Sequence, residues 1–191
     1  MELKLIEINE FKKDIYKHYK KMFPRAERKS YKNLKRGYNN KITNFYKIIE
    51  KNELVGFIIT QNANGDSRYI LLDFLAILPI YQCKGFGKQA VKELNKIISE
   101  KYLGLFAEVE KAGLGKSEKE NEIRERRIEF YEKLGFFNSG IDINLSNVVF
   151  SVYVLTSSKK DDDILNNLLI IYNYIWGEKR KHKNFEILTN I

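Results

Sequence analysis

The sequence predicts an α+β, or mixed α/β, domain in which helices flank one mixed and mostly antiparallel sheet. The stretch from Tyr69 to Leu78 is almost continuously apolar, which is typical of a strand buried on both faces. A strand, a helix and a second strand follow one another over residues 69–109, which predicts one parallel pair joined by a crossover helix. Paired apolar runs on either side of short polar turns predict antiparallel hairpins, and 191 residues are enough to bury a core.

The amino-terminal part is predicted to form a strand, two helices and a hairpin. A short strand spans residues 3–8. Apolar residues spaced by four, four and three predict a helix over 11–22, which Pro24 ends. A more polar helix is predicted over 27–36, ending before Gly37. The hairpin strands that follow are predicted over 45–50 and 54–60.

The elements after the central strand alternate between helix and strand. The glycines at 85 and 87 lead into a helix whose predicted buried stripe is Ala90, Val91, Leu94, Ile97 and Ile98. A strand over 103–109 and a charged loop over 111–121 follow. A helix over 122–134 is closed by Gly135, which is the usual residue after a helix end. The last predicted hairpin has strands over 136–143 and 148–155.

A break in composition over residues 157–163 separates this domain, residues 1–156, from a C-terminal extension, residues 157–191. The extension contains an apolar helix over 164–176 and a basic tail that includes residues 179–183. The helix is too apolar to stay exposed. We expect it to pack on the domain or to form a homodimer surface, and the sequence does not choose between these.

Composition excludes several classes of protein. One cysteine excludes an intramolecular disulfide, and two distant histidines argue against a metal site. The longest apolar runs are far shorter than the roughly 20 residues of a membrane-spanning helix. Residues 1–4 lack a continuous apolar stretch, so we expect no signal peptide and a cytoplasmic location. The net charge of +9 is spread along the chain and interleaved with acids, which favours a solvated surface over a nucleic-acid-binding one.

A phosphate-binding loop is the most specific local feature. It consists of Gln82, Cys83, Lys84, Gly85, Phe86, Gly87 and Lys88, between the buried strand and a helix. Glycines allow backbone amides to approach a ligand closely, and a helix N-terminus offers unpaired N–H groups to an anion. The alternative is an ordinary strand-to-helix turn. The loop matches neither the Walker pattern nor the dinucleotide pattern of three spaced glycines.

A second motif, Phe130-Tyr131 through Gly135-Phe136, lies about 40 residues further on. Together the two motifs resemble the GNAT superfamily of N-acetyltransferases, in which a Q/R-x-x-G-x-G/A loop binds the pyrophosphate of acetyl-CoA. Gln82, Gly85 and Gly87 match that loop, and the order of elements fits over about residues 1–156. The resemblance implies a GNAT-like fold whose central parallel strands splay apart near Ile77 and Glu108.

The resemblance also implies site residues. The backbone of Leu75 and Ile77 would contact the pantetheine arm of acetyl-CoA, and the amides of residues 82–88 would hold its diphosphate. Tyr131 matches the family tyrosine near the thioester sulfur, where a phenol can protonate the leaving thiolate. Its alternative role is that of a core aromatic.

The base that deprotonates the acceptor amine is expected to be a carboxylate. The candidates are Asp73, Glu108 and Glu110, whose alternative role is a rim salt bridge. Glu27 is a weaker candidate, whose alternative role is that of an acid in the first turn of an ordinary helix. Asp73 interrupts an apolar strand, where an acid is costly unless it is paired or used. A period of two predicts that Asp73 shares a sheet face with Leu75 and Ile77.

Two features depart from the family pattern. Cys83 occupies a loop position that is usually small or basic, and no histidine is linked to it by a motif, so we predict no cysteine nucleophile. Arg124 stands where many members have an asparagine. Arg124, Arg127 and Tyr131 share one helix face by their spacing, so the arginines are expected either to meet CoA phosphates or to pair with nearby acids.

The sequence therefore predicts an N-acetyltransferase that moves an acetyl group from acetyl-CoA directly to a primary amine, without a metal. A small-molecule acceptor is preferred because no peptide-docking module is evident. The first alternative is a non-catalytic CoA-binding module. The second is a basic nucleic-acid-associated protein, whose binding would depend steeply on salt.

Overall fold

One sheet runs through the described part of the chain, and helices cover both of its faces. The computed structural model describes residues 1–25, 27–156, 163–177 and 185–188. The strands are β1 (Glu2–Ile6), β2 (Thr43–Glu50), β3 (Glu53–Gln61), β4 (Tyr69–Ile77), β5 (Gly104–Glu110), β6 (Phe137–Leu145), β7 (Val148–Thr156) and β8 (Phe185–Ile187). The helices are α1 (Ile8–Glu10, a π-helical turn Phe11–Ile15, and Tyr16–Met22), α2 (Tyr31–Asn39), α3 (Phe86–Ile98), α4 (Glu118–Glu132) and α5 (Ile164–Trp176).

The strand order across the sheet is β1-β2-β3-β4-β5-β7-β6-β8. Every neighbouring pair is antiparallel except β4 and β5, which are parallel and joined by α3. The predicted fold class, element order and crossover are confirmed. The strand β8, which pairs with β6, was not predicted, since three residues are too few to show a period.

The parallel pair splays apart at its carboxyl end. Pairing runs from Tyr69 opposite Gly104 to Leu72 opposite Ala107 and stops there. Both strands continue beyond this point, β4 to Ile77 and β5 to Glu110. The predicted splay is confirmed, and it leaves an edge of β4 without a β5 partner in the middle of the sheet.

A β-bulge lies at the start of the splay. Ile59 of β3 pairs with Phe74, whereas Thr60 pairs with Leu72, so Asp73 is an extra residue in β4. A bulge shifts the alternation of side chains by one residue. Leu75 and Ile77 therefore pack on one face, whereas Asp73 bonds to Lys29 on the other face. The prediction that Asp73 shares a face with Leu75 and Ile77 is wrong, because period-two counting does not include the bulge.

The two faces of the sheet carry different helices. α3 and α4 pack on one face, in a core that includes Tyr131 and Phe136. α1 and α2 cover the first strands on the opposite face, and α5 covers the later strands beside them. Of the two alternatives left open for the apolar C-terminal helix, the structure has it packed on the sheet. The basic residues 179–183 lie outside the described residues.

Two helices begin and end differently from the prediction. α2 begins at Tyr31, where the Ser30 hydroxyl accepts a hydrogen bond from the Asn33 amide at 3.2 Å, and it continues through Gly37. A Cβ at Gly37 would lie 2.1 Å from Thr43 Oγ1, so this glycine serves close packing against β2 and does not end the helix. α4 begins at Glu118, one turn earlier than predicted, with Ser117 as its cap.

Ile97, placed in the buried stripe of α3 by its spacing, is instead 50% exposed. Within the described ranges, no helix combines the length and apolarity that crossing a bilayer requires.

Candidate active site

The loop after β4 is shaped by unusual backbone angles. A 3₁₀ turn at Pro79–Tyr81 follows the strand, and the Gln82 side chain then donates a hydrogen bond from Nε2 to the Ile77 carbonyl at 3.0 Å. Cys83 has φ +60° and Gly85 has φ +82°, both in the left-handed region. Gln82 thus fastens the loop to the end of β4, and Gly85 makes the turn into α3.

The first turn of α3 is open to a ligand. Gly85 is its N-cap, and no described side chain caps the helix. Lys84 lies over the Tyr81 ring at 5.5 Å, Lys88 is exposed, and neither makes an ion pair within the described residues. Unpaired helix amides with two adjacent cations form a site that suits a phosphate or pyrophosphate group.

The open edge of β4 lies next to this loop. The side chains of Leu75 and Ile77 are half-buried on the α3 and α4 face, and neither residue pairs with β5. A Cβ at Gly87 would lie 3.5 Å from the Phe130 ring and 3.6 Å from Ile77, so the first turn of α3 lies close to both β4 and α4. The loop, the strand edge and α4 therefore border one cleft.

Tyr131 lies in α4 on the same face. The residue is 8% exposed, and its ring contacts Phe130 and Phe136 edge-on, at centroid distances of 5.2 and 5.1 Å. Burial raises the pKa of the phenol to about 12; the Arg127 charge acts to lower that pKa and the Glu108 carboxylate acts to raise it. The hydroxyl is therefore protonated at neutral pH and able to donate a proton or a hydrogen bond.

Glu108 is the first residue of β5 beyond the part that pairs with β4. Its carboxylate accepts a hydrogen bond from the Tyr172 hydroxyl of α5. Burial raises the pKa of Glu108 to about 7; the Tyr172 hydrogen bond and the Lys29 charge lower it, and the Asp73 charge raises it. A carboxylate with a pKa near neutrality is suited to accept a proton during catalysis.

Asp73 is held by partners on the opposite face. It forms an ion pair with Lys29, and Gln61 Nε2 donates a hydrogen bond to it at 2.7 Å. Gln61 is itself fixed by the Thr43 hydroxyl, which donates to Oε1 at 2.8 Å. The Asp73 side chain is only 8% exposed, and the Lys29 ammonium and the Gln61 amide compensate its charge there.

Glu110 and the two arginines form an ion-pair network at the end of β5. Glu110 pairs with Arg127, and its other oxygen lies 3.5 Å from Arg124. Arg124 also donates to the Lys111 carbonyl at 2.9 Å and to Glu120 at 2.7 Å. Two roles were expected for these arginines, and in the structure both arginines pair with acids. Within the described residues, Nε of Arg124 is buried without a hydrogen-bond partner.

Glu27 faces the same network. Partial burial and the Glu110 charge raise the pKa of Glu27, while the Arg127 charge lowers it. The structure therefore brings Glu27 near Glu110 at the mouth of the splay. Cys83 is an exposed free thiol in the loop, and His18 lies in α1 on the opposite face of the sheet.

A cavity of about 370 Å³ opens on the α1, α2 and α5 face. Lys29, Thr43 and Gln61 line it, so it extends to the residues that hold Asp73. The end of α2 and the segment from Tyr174 to Gly177 at the end of α5 form its walls. The cavity and the cleft at the phosphate loop lie on opposite faces of the sheet, with the splay between them.

Sequence reasoning missed the contribution of α5. Tyr172 belongs to an apolar stripe, and its spacing gives no sign that its hydroxyl reaches Glu108. Glu108 did carry a signal, because it interrupts an apolar strand as Asp73 does. Lys29 was not singled out, since one lysine among many in a basic chain is not distinctive.

Solved structures share this fold at low sequence identity. The ribosomal-protein-S18-alanine N-acetyltransferase from Escherichia coli aligns with a TM-score of 0.60 and 17% identity, over 85% of this chain and 97% of that one. Mutant forms of the spermidine/spermine N-acetyltransferase SpeG from Vibrio cholerae align with a TM-score of 0.58 and 15% identity, over 83% and 95%. Arabidopsis thaliana NAA60 in complex with acetyl-CoA aligns with a TM-score of 0.60 and 12% identity, over 81% and 97%.

At these identities the solved structures establish the fold. No curated protein sequence matches the chain. The sequence model of the acetyltransferase (GNAT) family matches residues 12–136, about two thirds of the chain. That range includes the phosphate loop, the splay and Tyr131, and it ends before Tyr172. The chain therefore belongs to the GNAT family of acetyltransferases.

Proposed function

We propose that this protein transfers the acetyl group of acetyl-CoA directly to a primary amine of a small molecule. The observation that carries the proposal is the splay between β4 and β5. It lies between a phosphate-type cleft on one face and a cavity on the other, and Glu108 lies where the strands part. A thioester at this point would be reachable from both faces of the sheet.

The residues of the cleft fit acetyl-CoA as the donor substrate. The amides of the first turn of α3, with Lys84 and Lys88, would hold its diphosphate. The Leu75 backbone and the Ile77 amide have no β5 partner and would form hydrogen bonds with the amides of the pantetheine arm. The Ile77 carbonyl already accepts a hydrogen bond from Gln82. Bound acetyl-CoA supplies an activated thioester, and the protein's part is to orient it and to move protons.

Glu108 is the general base of the proposed reaction. An alkylammonium ion must lose a proton before its nitrogen can attack a carbonyl carbon. The Glu108 carboxylate can accept that proton because its pKa is raised to about 7, near the operating pH. Asp73 and Glu110 were also candidates, but each is held in ion pairs with cations, which favours Glu108.

Tyr131 is the general acid of the proposed reaction. When the tetrahedral intermediate breaks down, the C–S bond breaks and the sulfur leaves as a thiolate that needs a proton. A phenol keeps its proton at neutral pH, and burial raises the pKa of Tyr131 further, to about 12. Arg127 and Glu108 both act on this pKa, so they lie near enough to interact with the phenol electrostatically.

Direct transfer is favoured over a covalent acetyl-enzyme. The one cysteine, Cys83, is exposed in the loop, and His18 lies in a helix on the other face. A nucleophilic cysteine would need a base or a cation to form its thiolate. The proposal therefore has the amine attack the thioester itself.

The size of the cavity supports a small acceptor. At about 370 Å³ it lies in the range of small-molecule sites, and it is bounded by α2 and by the end of α5. The expected cytoplasmic location and a homodimer stay predictions.

The test is acetyl transfer to a panel of small amines, followed by CoA thiol release and by mass spectrometry of the products. We expect acetylated products, and we expect Glu108→Gln to lower kcat/KM by about 100-fold or more, the usual size of a lost general base. Glu100→Gln, an exposed change at the end of α3, is the matched control and should leave kcat/KM unchanged. Binding of acetyl-CoA without transfer to any amine would contradict the proposal and favour the non-catalytic CoA-binding alternative.

A further inference from the structure

We propose that the acceptor amine also carries a carboxylate, which binds to Arg36 at the wall of the cavity. This inference rests on the proposed function and specifies the acceptor class. It follows from how the cavity distributes charge between its inner end, near the splay, and its wall on α2.

The inner end of the cavity is suited to the amine. Lys29 and Gln61 line it, and both are bonded to Asp73. The Asp73 charge acts in turn on Glu108, so two carboxyl groups lie close together behind the inner end. Lys29 compensates Asp73, whereas Glu108 makes no ion pair within the described residues. The Glu108 carboxylate can therefore attract an ammonium ion toward the splay and take its proton.

The wall of the cavity is suited to an anion. Among the described residues that line it, the charged ones are Lys29 and Arg36, and no acid is present. Lys29 is committed to Asp73, whereas the Arg36 side chain makes no ion pair or hydrogen bond within the described part of the chain. A free guanidinium can bind a carboxylate through two parallel hydrogen bonds. The amide side chains of Asn33 and Asn40 offer further hydrogen bonds beside it.

This charge pattern opposes a polyamine as acceptor. A second ammonium ion on the acceptor would meet the Arg36 guanidinium, with no lining carboxylate among the described residues to compensate it. Like charges in a partly enclosed site repel, so a diamine would bind weakly. The structure therefore favours a molecule with an amine at one end and a carboxylate at the other, as in an amino acid whose two groups are separated along its chain.

Arg36 has a second physical explanation. It lies in the last turn of α2, where a cation stabilises the helix dipole. In that case its loss would change the stability of the protein and leave acceptor preference untouched. Lys35 is exposed on the same helix and does not line the cavity, so Lys35→Gln is a matched control for the loss of one charge.

The experiment measures kcat/KM for amino acids, for the corresponding amino acid amides and for diamines of similar length, with acetyl-CoA as donor. We expect amino acids to exceed their amides by about tenfold or more. Arg36→Gln should lower kcat/KM for the amino acids to the value for the amides and leave kcat/KM for the amides unchanged. Lys35→Gln should change neither value. Equal use of amides and amino acids, a preference for diamines, or an equal loss of both in Arg36→Gln would overturn the inference while leaving acetyl transfer intact.

A binding measurement separates this inference from the proposed function. Trp176 is the only tryptophan of the chain and lines the cavity, so its fluorescence reports an occupant without chemistry. We expect amino acids to change this fluorescence in the presence of CoA, and Arg36→Gln to raise their apparent Kd by about tenfold or more. Failure to acetylate any amine would contradict the proposed function. A fluorescence response that is the same for ligands with and without a carboxylate, or the same in wild type and Arg36→Gln, would overturn the inference itself.

Discussion

Removing the hydroxyl of Tyr172 tests how the C-terminal helix acts on the proposed base. Tyr172 lies in α5, outside the family match, and donates a hydrogen bond to the Glu108 carboxylate. Tyr172→Phe keeps the buried ring, which stacks on Trp176 at 4.7 Å, and removes only the donor. The change is therefore directed at the ionisation of Glu108.

The size of the effect follows from the strength of a hydrogen bond to a charged group, about 1.5–3 kcal/mol. Because 1.36 kcal/mol corresponds to one pKa unit, the lower end of that range raises the pKa of Glu108 from about 7 to about 8. A base that must be ionised is then scarcer at neutral pH. The ratio of variant to wild-type kcat/KM should be about 0.1 at pH 6, about 0.2 at pH 7 and about 0.9 at pH 9.

The assay is acetyl transfer to one acceptor across this pH range. Taking the ratio cancels the titration of the acceptor amine, which is the same for both proteins. Tyr38→Phe is the control, because Tyr38 also donates to a carboxylate, Glu7, but outside the site; its ratio should stay near one. A Tyr172→Phe ratio that is reduced equally at every pH would contradict an effect on the ionisation of Glu108, since a merely structural role would give that result.

Three further predictions concern stability and donor binding. Burial raises the pKa of Glu108 to about 7, above its unfolded value near 4.5, so ionisation of this carboxyl group costs stability as the pH rises from 4.5 to 7. In urea unfolding, the free energy of unfolding of Glu108→Gln should exceed that of wild type by up to about 3 kcal/mol at pH 8 and should equal it at pH 4. Gly85→Ala should cost about 1 kcal/mol of stability because of the positive φ at this position, and it should raise the acetyl-CoA Kd at least about tenfold. Gly65→Ala, at φ +99°, is the control: calorimetry should show a similar loss of stability, and the acetyl-CoA Kd should not change. Arg124→Met should destabilise by about 1–3 kcal/mol because it removes a buried guanidinium that bonds to the Lys111 carbonyl and to Glu120. Arg126→Met removes only an exposed pair and should change the free energy of thermal unfolding by under about 0.5 kcal/mol; equal effects of the two changes would contradict this difference in burial.

Local signals were sufficient to predict most of the fold. The buried strand β4, the glycines before α3 and the amphipathic stripe of that helix define the crossover, and they lie next to one another in the sequence. The hairpin of β6 and β7 was predictable from two apolar runs with a turn between them. The phosphate loop could be found for the same reason, because its chemistry depends on backbone and on glycine at fixed spacing.

The features of the fold and of the site that the sequence does not predict depend on contacts between distant residues. The bulge at Asp73 exists only in the register between β3 and β4, and it moves that side chain to the other face. Gly37 continues a helix because of its contact with Thr43 in β2. The bond from Tyr172 to Glu108 joins residues 64 positions apart, so no local pattern predicts it.

The most direct test of the central claim, that the splay with its phosphate loop binds acetyl-CoA, is thermal unfolding with and without this donor. Ligand at about 100 times its Kd should stabilise the folded state by roughly 2.7 kcal/mol, a rise in Tm on the order of 5 °C for a domain of this size. We predict this rise with acetyl-CoA and with free CoA, and none with ATP. An unchanged Tm at millimolar acetyl-CoA, or an equal rise with ATP, would contradict the account.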